Sequence, residues 1–292
     1  MLPLSSWPAS ERGQIVGVFT DIDDTLTTHG AITSDALQAL ADLKAAGLVV
    51  IPITGRPIGW CEPFMSGAAG TAWPVDAMVA ENGAVAFTPS VQGDFSDQIC
   101  PQGPQTFRKQ LSKLYQQDTA TRADNQLRMR KIAARVMFEV PGVFLTRDST
   151  GRETDIAFDY NEHAHLPAAT VQRVLAVLQR EGMQTTVSSI HIHGCFGDFD
   201  KWQGANWIVR ELLGRDLEQE IDRWVFVGDS GNDQAMFEHF SHSVGVANIR
   251  KFESQLTHLP RYVTPSERGA GFAEVAKSIV ESRQLAAFHP AL

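Results

Sequence analysis

Three short runs of this chain, residues 15–20, 48–54 and 224–228, are almost wholly apolar and do not alternate. That is the pattern of strands covered on both faces in a parallel sheet. Between the first two, Leu37, Leu40 and Ala41 recur at helical spacing after Thr33 or Ser34, either of which can cap a helix, and Gly47 suits the left-handed position that ends one. Strand, helix, strand over this distance is a crossover long enough to make the two strands parallel. The fold class this dictates is α/β, a doubly wound, Rossmann-like parallel sheet.

Further along, residues 76–80 read as a third short strand, ended by the turn pair Asn82-Gly83 before residues 84–87 resume an extended pattern. Residues 88–105, rich in Pro, Gly, Gln and Ser, read as a boundary or hinge. The texture then changes. In residues 154–160, Ile156, Phe158 and Tyr160 share one face and Asp155, Ala157 and Asp159 the other, as in a one-sided strand. A helix starting at Pro167 buries Val171, Val174, Leu175 and Leu178, and residues 184–188 and 190–196 pair as a hairpin. A helix from Trp202 to Leu213, short strands at 243–246 and 262–264, and a helix over 272–285 complete the chain. The expected organisation is a core formed by residues 1–87 and 197–292, enclosing an α+β domain at 88–196; a chain of 292 residues is long enough for both.

A formal net charge of −9 makes nucleic acid and anionic membrane poor partners, and the basic residues between Arg122 and Arg135 read as a solvated helix face. Cys61, Cys100 and Cys195 are widely spaced and odd in number, which speaks against a disulfide framework or a zinc site and for a reducing cytoplasm. The opening residues lack the pattern of a signal peptide, and no run reaches the ~18 apolar residues that span a bilayer. Monomer and homodimer are both open. His191 and His193, two apart on a strand, share a face; they are ordinary partly buried histidines or contacts to a substrate from the inserted domain.

In an open parallel sheet the loops beyond the carboxyl ends of the strands converge on one crevice. Four loops would meet there: Asp21, Asp23, Asp24 and Thr25; Thr54, Gly55 and Arg56; Asp200 and Lys201; and residues 228–233, Gly-Asp-Ser-Gly-Asn-Asp. Crowded carboxylates raise one another's cost of ionisation, so a positive partner is required unless these residues form only a solvated turn. A calcium loop of the EF-hand kind does not fit, because Leu26 and Ile32 stand where its glycine and glutamate belong.

The segments DIDDT (21–25), the threonine of PITGR (52–56), a lysine ahead of a helix and GDSGND (228–233) together resemble the four motifs of the haloacid dehalogenase superfamily. The inserted domain resembles the type IIB cap of its Cof-like, sugar-phosphate phosphatase branch, as do ENGA (81–84) and SERGAGF (266–272). One departure is that Lys201 is followed by Trp202-Gln203 before Gly204, where many relatives place glycine at once. The resemblance implies a magnesium-dependent phosphatase acting on a small phosphorylated metabolite, a sugar phosphate. Asp21 would be the nucleophile, and Asp23 the general acid and base. Asp21, the Asp23 carbonyl and Asp229 would hold Mg2+, with Asp233 supporting the metal directly or through water. Thr54, Gly55, Arg56, Lys201 and Asn232 would bind the substrate, Asn232 also orienting the lysine. A sugar phosphomutase and a non-catalytic metabolite-binding protein are the alternatives.

Overall fold

A computed structural model of the chain describes residues 1–68, 70, 72–90 and 110–288; Cys100 and most of residues 88–105 lie outside the described residues. β1 (Leu2–Pro3) and α1 (Ala9–Arg12) lead into β2 (Gly17–Thr20), all of it buried as its apolar run requires. After the aspartate loop come a small hairpin, β3 (Thr27–Thr28) and β4 (Ala31–Ile32), and then α2 (Ser34–Ala45). Thr33 is the extended N-cap of α2, and Gly47 takes the left-handed conformation beyond its end. β5 (Val49–Pro52), α3 (Ile58–Ser66), β6 (Met78–Ala80), β7 (Val85–Pro89) and β8 (Leu111–Tyr115) follow.

β6 attaches to the end of β5 through a bridge between Ile53 and Val79, and β7 and β8 continue antiparallel beside it. β8 belongs to the stretch that the sequence reading assigns to the inserted domain, yet it pairs with β7 from Val85–Tyr115 to Pro89–Leu111. The chain therefore stays in the core layer as far as Tyr115. An edge strand that is only half buried carries too weak an alternation to show this beforehand.

The insert proper comprises α4 (Thr119–Glu139), β9 (Asp155–Asp159), α5 (Ala168–Arg180), β10 (Gln184–Val187) and β11 (His191–Cys195). Its antiparallel sheet, in the order β10-β11-β9, packs one face on α4 and α5 around Met129, Val136, Phe158, Val174, Leu178 and Ile192. The other face departs from the one-sided reading. Asp155, Asp159, His191 and His193 are buried on it rather than solvated, because that face is turned towards the core.

α6 (Lys201–Leu213), β12 (Trp224–Gly228), α7 (Gln234–His239), β13 (His242–Gly245), β14 (Tyr262–Val263) and α8 (Arg268–Phe288) return the chain to the core. The six-stranded sheet has the order β1-β14-β13-β12-β2-β5 and is parallel throughout. Helices cover both faces: α2 and α8 bring Leu40, Leu43, Phe272 and Ile279 to one, and α6 and α7 bring Ala205, Ile208, Met236 and Phe237 to the other. No helix among the described residues is long and apolar enough to cross a membrane.

One close approach fixes where α6 begins. Gly83, with φ near +111°, lies so near α6 that a Cβ there would stand 2.3 Å from the Asp200 carbonyl oxygen; a Cβ on Gly204 would stand 2.4 Å from the Gly83 Cα. The glycine that follows Lys201 at a distance of three residues is thus the one that lets the first turn of α6 seat on the 81–83 turn. Gly83→Ala is expected to cost roughly 3 kcal/mol and to lower the thermal midpoint by roughly 6–12 °C. An unchanged midpoint would contradict the close approach.

Candidate active site

β2 ends at Thr20 and β12 at Gly228, and because Val227 pairs with Thr20, Asp21 and Asp229 leave the sheet side by side. A tight turn, Gly231–Asp233, brings a third carboxylate back: Asp233 Oδ2 accepts from the backbone of Asp229 at 2.8 Å and of Ser230 at 3.0 Å. One ligand atom each from Asp21, Asp229 and Asp233 lie within 4.8 Å of one another, and all three residues are buried. Lys201, the first residue of α6, enters this cluster with no exposed surface; its Nζ is 2.5 Å from Asp21 Oδ1 and 2.7 Å from Asp233 Oδ1. Asp200 caps the helix by accepting from Gln203 at 2.7 Å, which holds the lysine at its start.

Three carboxylates against one ammonium leave an excess of negative charge in a buried site. Burial, then Asp233 and Asp23, push the Asp21 carboxyl up to about 7, with Lys201 opposing. Burial together with Asp21 and Asp233 pushes Asp229 well above the usual carboxylate range. Burial alone would lower Lys201; Asp21 and Asp233 more than reverse it, and the amine stays charged. Asn248 donates to Asp229 Oδ2 at 2.8 Å and to the Asp24 carbonyl at 3.0 Å, fixing one oxygen of Asp229. An oxygen-only donor set with this charge excess fits a hard divalent cation.

Beside the cluster, the loop after β5 is tied to its neighbours. The Thr54 amide donates to Val79 O and its carbonyl accepts from Asn82, both at 2.9 Å. Its hydroxyl accepts from the Arg56 amide at 3.1 Å. The Arg56 guanidinium makes a fork on Asp23, with Nε and Nη2 each 2.8 Å from one carboxylate oxygen. On its outer side it meets Glu162 at 2.7 Å and Asp148 at 3.2 Å, both from the insert. Arg56 therefore aims Asp23 and binds the insert with the same group. Arg152, also from the insert, donates to the Gly55 carbonyl at 3.0 Å and to Asp155 at 2.9 Å. Glu81 accepts from the amides of Ile58 at 3.1 Å and Thr154 at 2.6 Å, and from the Thr154 hydroxyl.

The sequence-predicted residues divide accordingly. Asp21, Asp229, Asp233 and Lys201 form one buried cluster; Asp23 and Arg56 form a pair next to it; Thr54 and Gly55 lie in the connecting loop. Asn232 donates to Asn82 at 3.0 Å, with Ser230 donating to it at 3.1 Å, so the structure holds it on the 81–83 turn rather than on Lys201. His191 and His193 are buried in the seam between insert and core. His191 Nε2 lies 2.8 Å from Glu162, which is held at about 2 by His191 and Arg56 against the opposing effect of its burial. His193 Nδ1 lies 3.0 Å from Asp155, and burial pulls its ring down to about 4, so it is neutral at pH 7. Trp73 is core, and Trp60 lies beneath Arg56 at 5.0 Å.

Sequence reasoning missed Glu162, Arg152 and Asn248. Asn248 carries no pattern around it. The other two had a faint signal in β9 and β11, where Asp155, Asp159, His191 and His193 share the face that Arg152 and Glu162 flank. A cleft of about 460 Å³ opens between core and insert, bounded by Asp23, His29, Arg56, Glu162, His163 and Arg268.

A family model described as haloacid dehalogenase-like hydrolase matches residues 18–123, and one described as sucrose-6F-phosphate phosphohydrolase matches residues 110–274. No match was found among curated proteins. Among solved structures, a protein of Thermoplasma acidophilum is 17% identical with a TM-score of 0.63, over 91% of this chain and 98% of that one. The sucrose-phosphatase of Synechocystis sp., in complex with sucrose and phosphate, is 15% identical with a TM-score of 0.61, again over 91% and 98%. The C-terminal domain of trehalose-6-phosphate phosphatase from C. albicans is 13% identical with a TM-score of 0.60, over 95% and 96%. At such identities the likeness is one of fold. The second family model spans more than half of the sequence, and the chain belongs to the haloacid dehalogenase superfamily, as a phosphoric-monoester hydrolase of the sucrose-6F-phosphate phosphohydrolase family.

Proposed function

We propose that the protein is a magnesium-dependent phosphatase that hydrolyses a small phosphorylated metabolite, a sugar phosphate, through an aspartyl phosphate on Asp21, in the cytoplasm. The observation that carries this reading is the cluster of Asp21, Asp229 and Asp233, with ligand atoms within 4.8 Å of one another around a single ammonium. A sugar is supported by the sugar phosphatases among the structural neighbours and by the polar walls of the cleft that reaches Asp23. The unit from α4 to β11 acts as the cap.

Asp21, Asp229, Asp233 and the Asp23 carbonyl would hold magnesium, which supplies positive charge against the substrate phosphate. An oxygen of Asp21 attacks phosphorus as the bond from phosphorus to the sugar oxygen breaks, and Asp23 gives that oxygen a proton. Water then attacks the same phosphorus, Asp23 takes up its proton, and the bond to Asp21 breaks to free phosphate. Thr54 and Lys201 donate to phosphate oxygens, and the cap excludes all but the attacking water.

The test is phosphate release over a panel of sugar phosphates, nucleotides and cofactor phosphates. Chelation is expected to lower turnover by at least about 10²-fold and added magnesium to restore it. Turnover indifferent to chelation, or an isomerised sugar phosphate with no phosphate freed, would overturn the reading. Arg56→Lys keeps the charge but breaks the fork on Asp23; kcat is expected to fall by about 10- to 100-fold, and the thermal midpoint to fall as well, because the same guanidinium also holds Glu162 and Asp148 of the insert. Unaltered kcat in steady-state assays would remove Arg56 from the positioning of Asp23.

A further inference from the structure

We propose that the cap carries a second ligand site, distinct from the catalytic cleft, for a small monocarboxylate with an apolar body, and that its occupant acts on the phosphate-side loop through Arg152. The site is a cavity of about 390 Å³ between α4 and β9. Its walls are Met129, Ala133, Leu145 and Ile156, which suit an apolar body, and its volume lies in the range of metabolite pockets. Arg152 and Asp155 also line it, and Arg130 stands exposed among the lining residues.

Arg152 is the reason to expect an anion. Its side chain is only 2% exposed, and its Nη1 and Nη2 are taken by the Gly55 carbonyl, Asp155 and Asp148. Its Nε is buried without a hydrogen-bond partner among the described residues. An unmade hydrogen bond on a buried guanidinium is costly, and a ligand oxygen would satisfy it. Asp155 is already charge-matched by Arg152 and only hydrogen-bonded by His193, so Arg130 is left as the surplus charge of the lining. One surplus positive charge matches a monoanion better than a doubly charged phosphate.

The same guanidinium reaches the catalytic side. Nη1 of Arg152 donates to Gly55 O at 3.0 Å, between Thr54 and Arg56. Gly151 packs so closely on Gly59 of α3 that a Cβ on Gly59 would lie 2.9 Å from the Gly151 Cα. A ligand that draws on Nε therefore shifts a residue wedged against both the loop and the helix that follows it.

The test uses the full chain with phenylacetate, indole-3-acetate and 4-methylpentanoate as probes, and phenylacetamide as the uncharged counterpart. Binding is read by calorimetry, and coupling by the KM and kcat for p-nitrophenyl phosphate. Ala134→Trp fills the mouth of the cavity from an exposed position, and Arg130→Gln removes only the rim charge. The expected result is saturable binding of at least one carboxylate. It should be about tenfold weaker for phenylacetamide and for Ala134→Trp and severalfold weaker for Arg130→Gln, with KM or kcat altered at least about twofold in wild type only. No saturable binding by any carboxylate, equal binding by the amide, equal binding to Ala134→Trp, or binding with unaltered kinetics would overturn the proposal. Calorimetry reads the site without turnover, so a failure to bind is told apart from a failure of the proposed function, on which the kinetic readout alone rests.

Discussion

Asp21→Asn is expected to release phosphate at least about 10⁴-fold more slowly than wild type while unfolding no sooner. The two halves of this result have different origins. Asparagine is nearly the same size and leaves β2 in the same direction, but its amide cannot form the acyl phosphate that splits hydrolysis into two steps. The stability half follows from the charge in the site. Burial pushes the Asp21 carboxyl up to about 7, so its charged form is disfavoured in the fold even with Lys201 at 2.5 Å. Removing that charge relieves repulsion from Asp229 and Asp233, and Lys201 keeps Asp233 at 2.7 Å. The measurement is phosphate release together with a thermal melt in chelator. A folded variant within tenfold of wild-type turnover would mean that Asp21 is not the nucleophile.

What the chain discloses about itself follows a physical boundary. The sheet strands other than the exposed edge strand β1, with their following loops, were legible because a strand covered on both faces has to be apolar over its length, and the switch to aspartate at residues 21 and 229 marks where it leaves the core. The adjacency of those aspartates follows from β12 lying beside β2. β8 was not legible, since a half-buried edge strand has little to alternate between and its pairing with β7 joins segments far apart in sequence. Arg56 is the instructive residue within the site. Its place after Thr54-Gly55 suggested a phosphate ligand, whereas its guanidinium is spent on Asp23, Glu162 and Asp148. Sequence gives the loop a residue occupies, but the partner of a long side chain depends on what the insert brings across, and Glu162 and Asp148 come from turns with no periodicity.

Lys201→Met should be the most destabilising single change in the site, and magnesium should repair it. Lys201 is wholly buried and is the cation that both Asp21 and Asp233 contact. Deleting one side of a buried ion pair leaves its partners uncompensated, at a cost of about 3–5 kcal/mol, which corresponds to a fall in thermal midpoint of roughly 6–20 °C in chelator. Methionine fills most of the volume, so packing contributes little of this loss. In wild type the ammonium occupies one oxygen each of Asp21 and Asp233 and repels a dication; in the variant those oxygens are free. Magnesium should therefore raise the midpoint of Lys201→Met by more than that of wild type, since a ligand bound only by the folded state stabilises it by about 2.7 kcal/mol at a hundred times its Kd. Turnover with magnesium should still fall by about 10²- to 10³-fold, because a cation held by carboxylates does not replace a donor aimed at the phosphate. A double variant, Lys201→Met with Asp233→Asn, separates charge from shape. If charge governs, removing the second carboxylate restores part of the stability that the first change costs, and the two effects are non-additive by roughly 1–3 kcal/mol. Additive losses, or a Lys201→Met midpoint equal to wild type in chelator, would show that these groups do not share one electrostatic site.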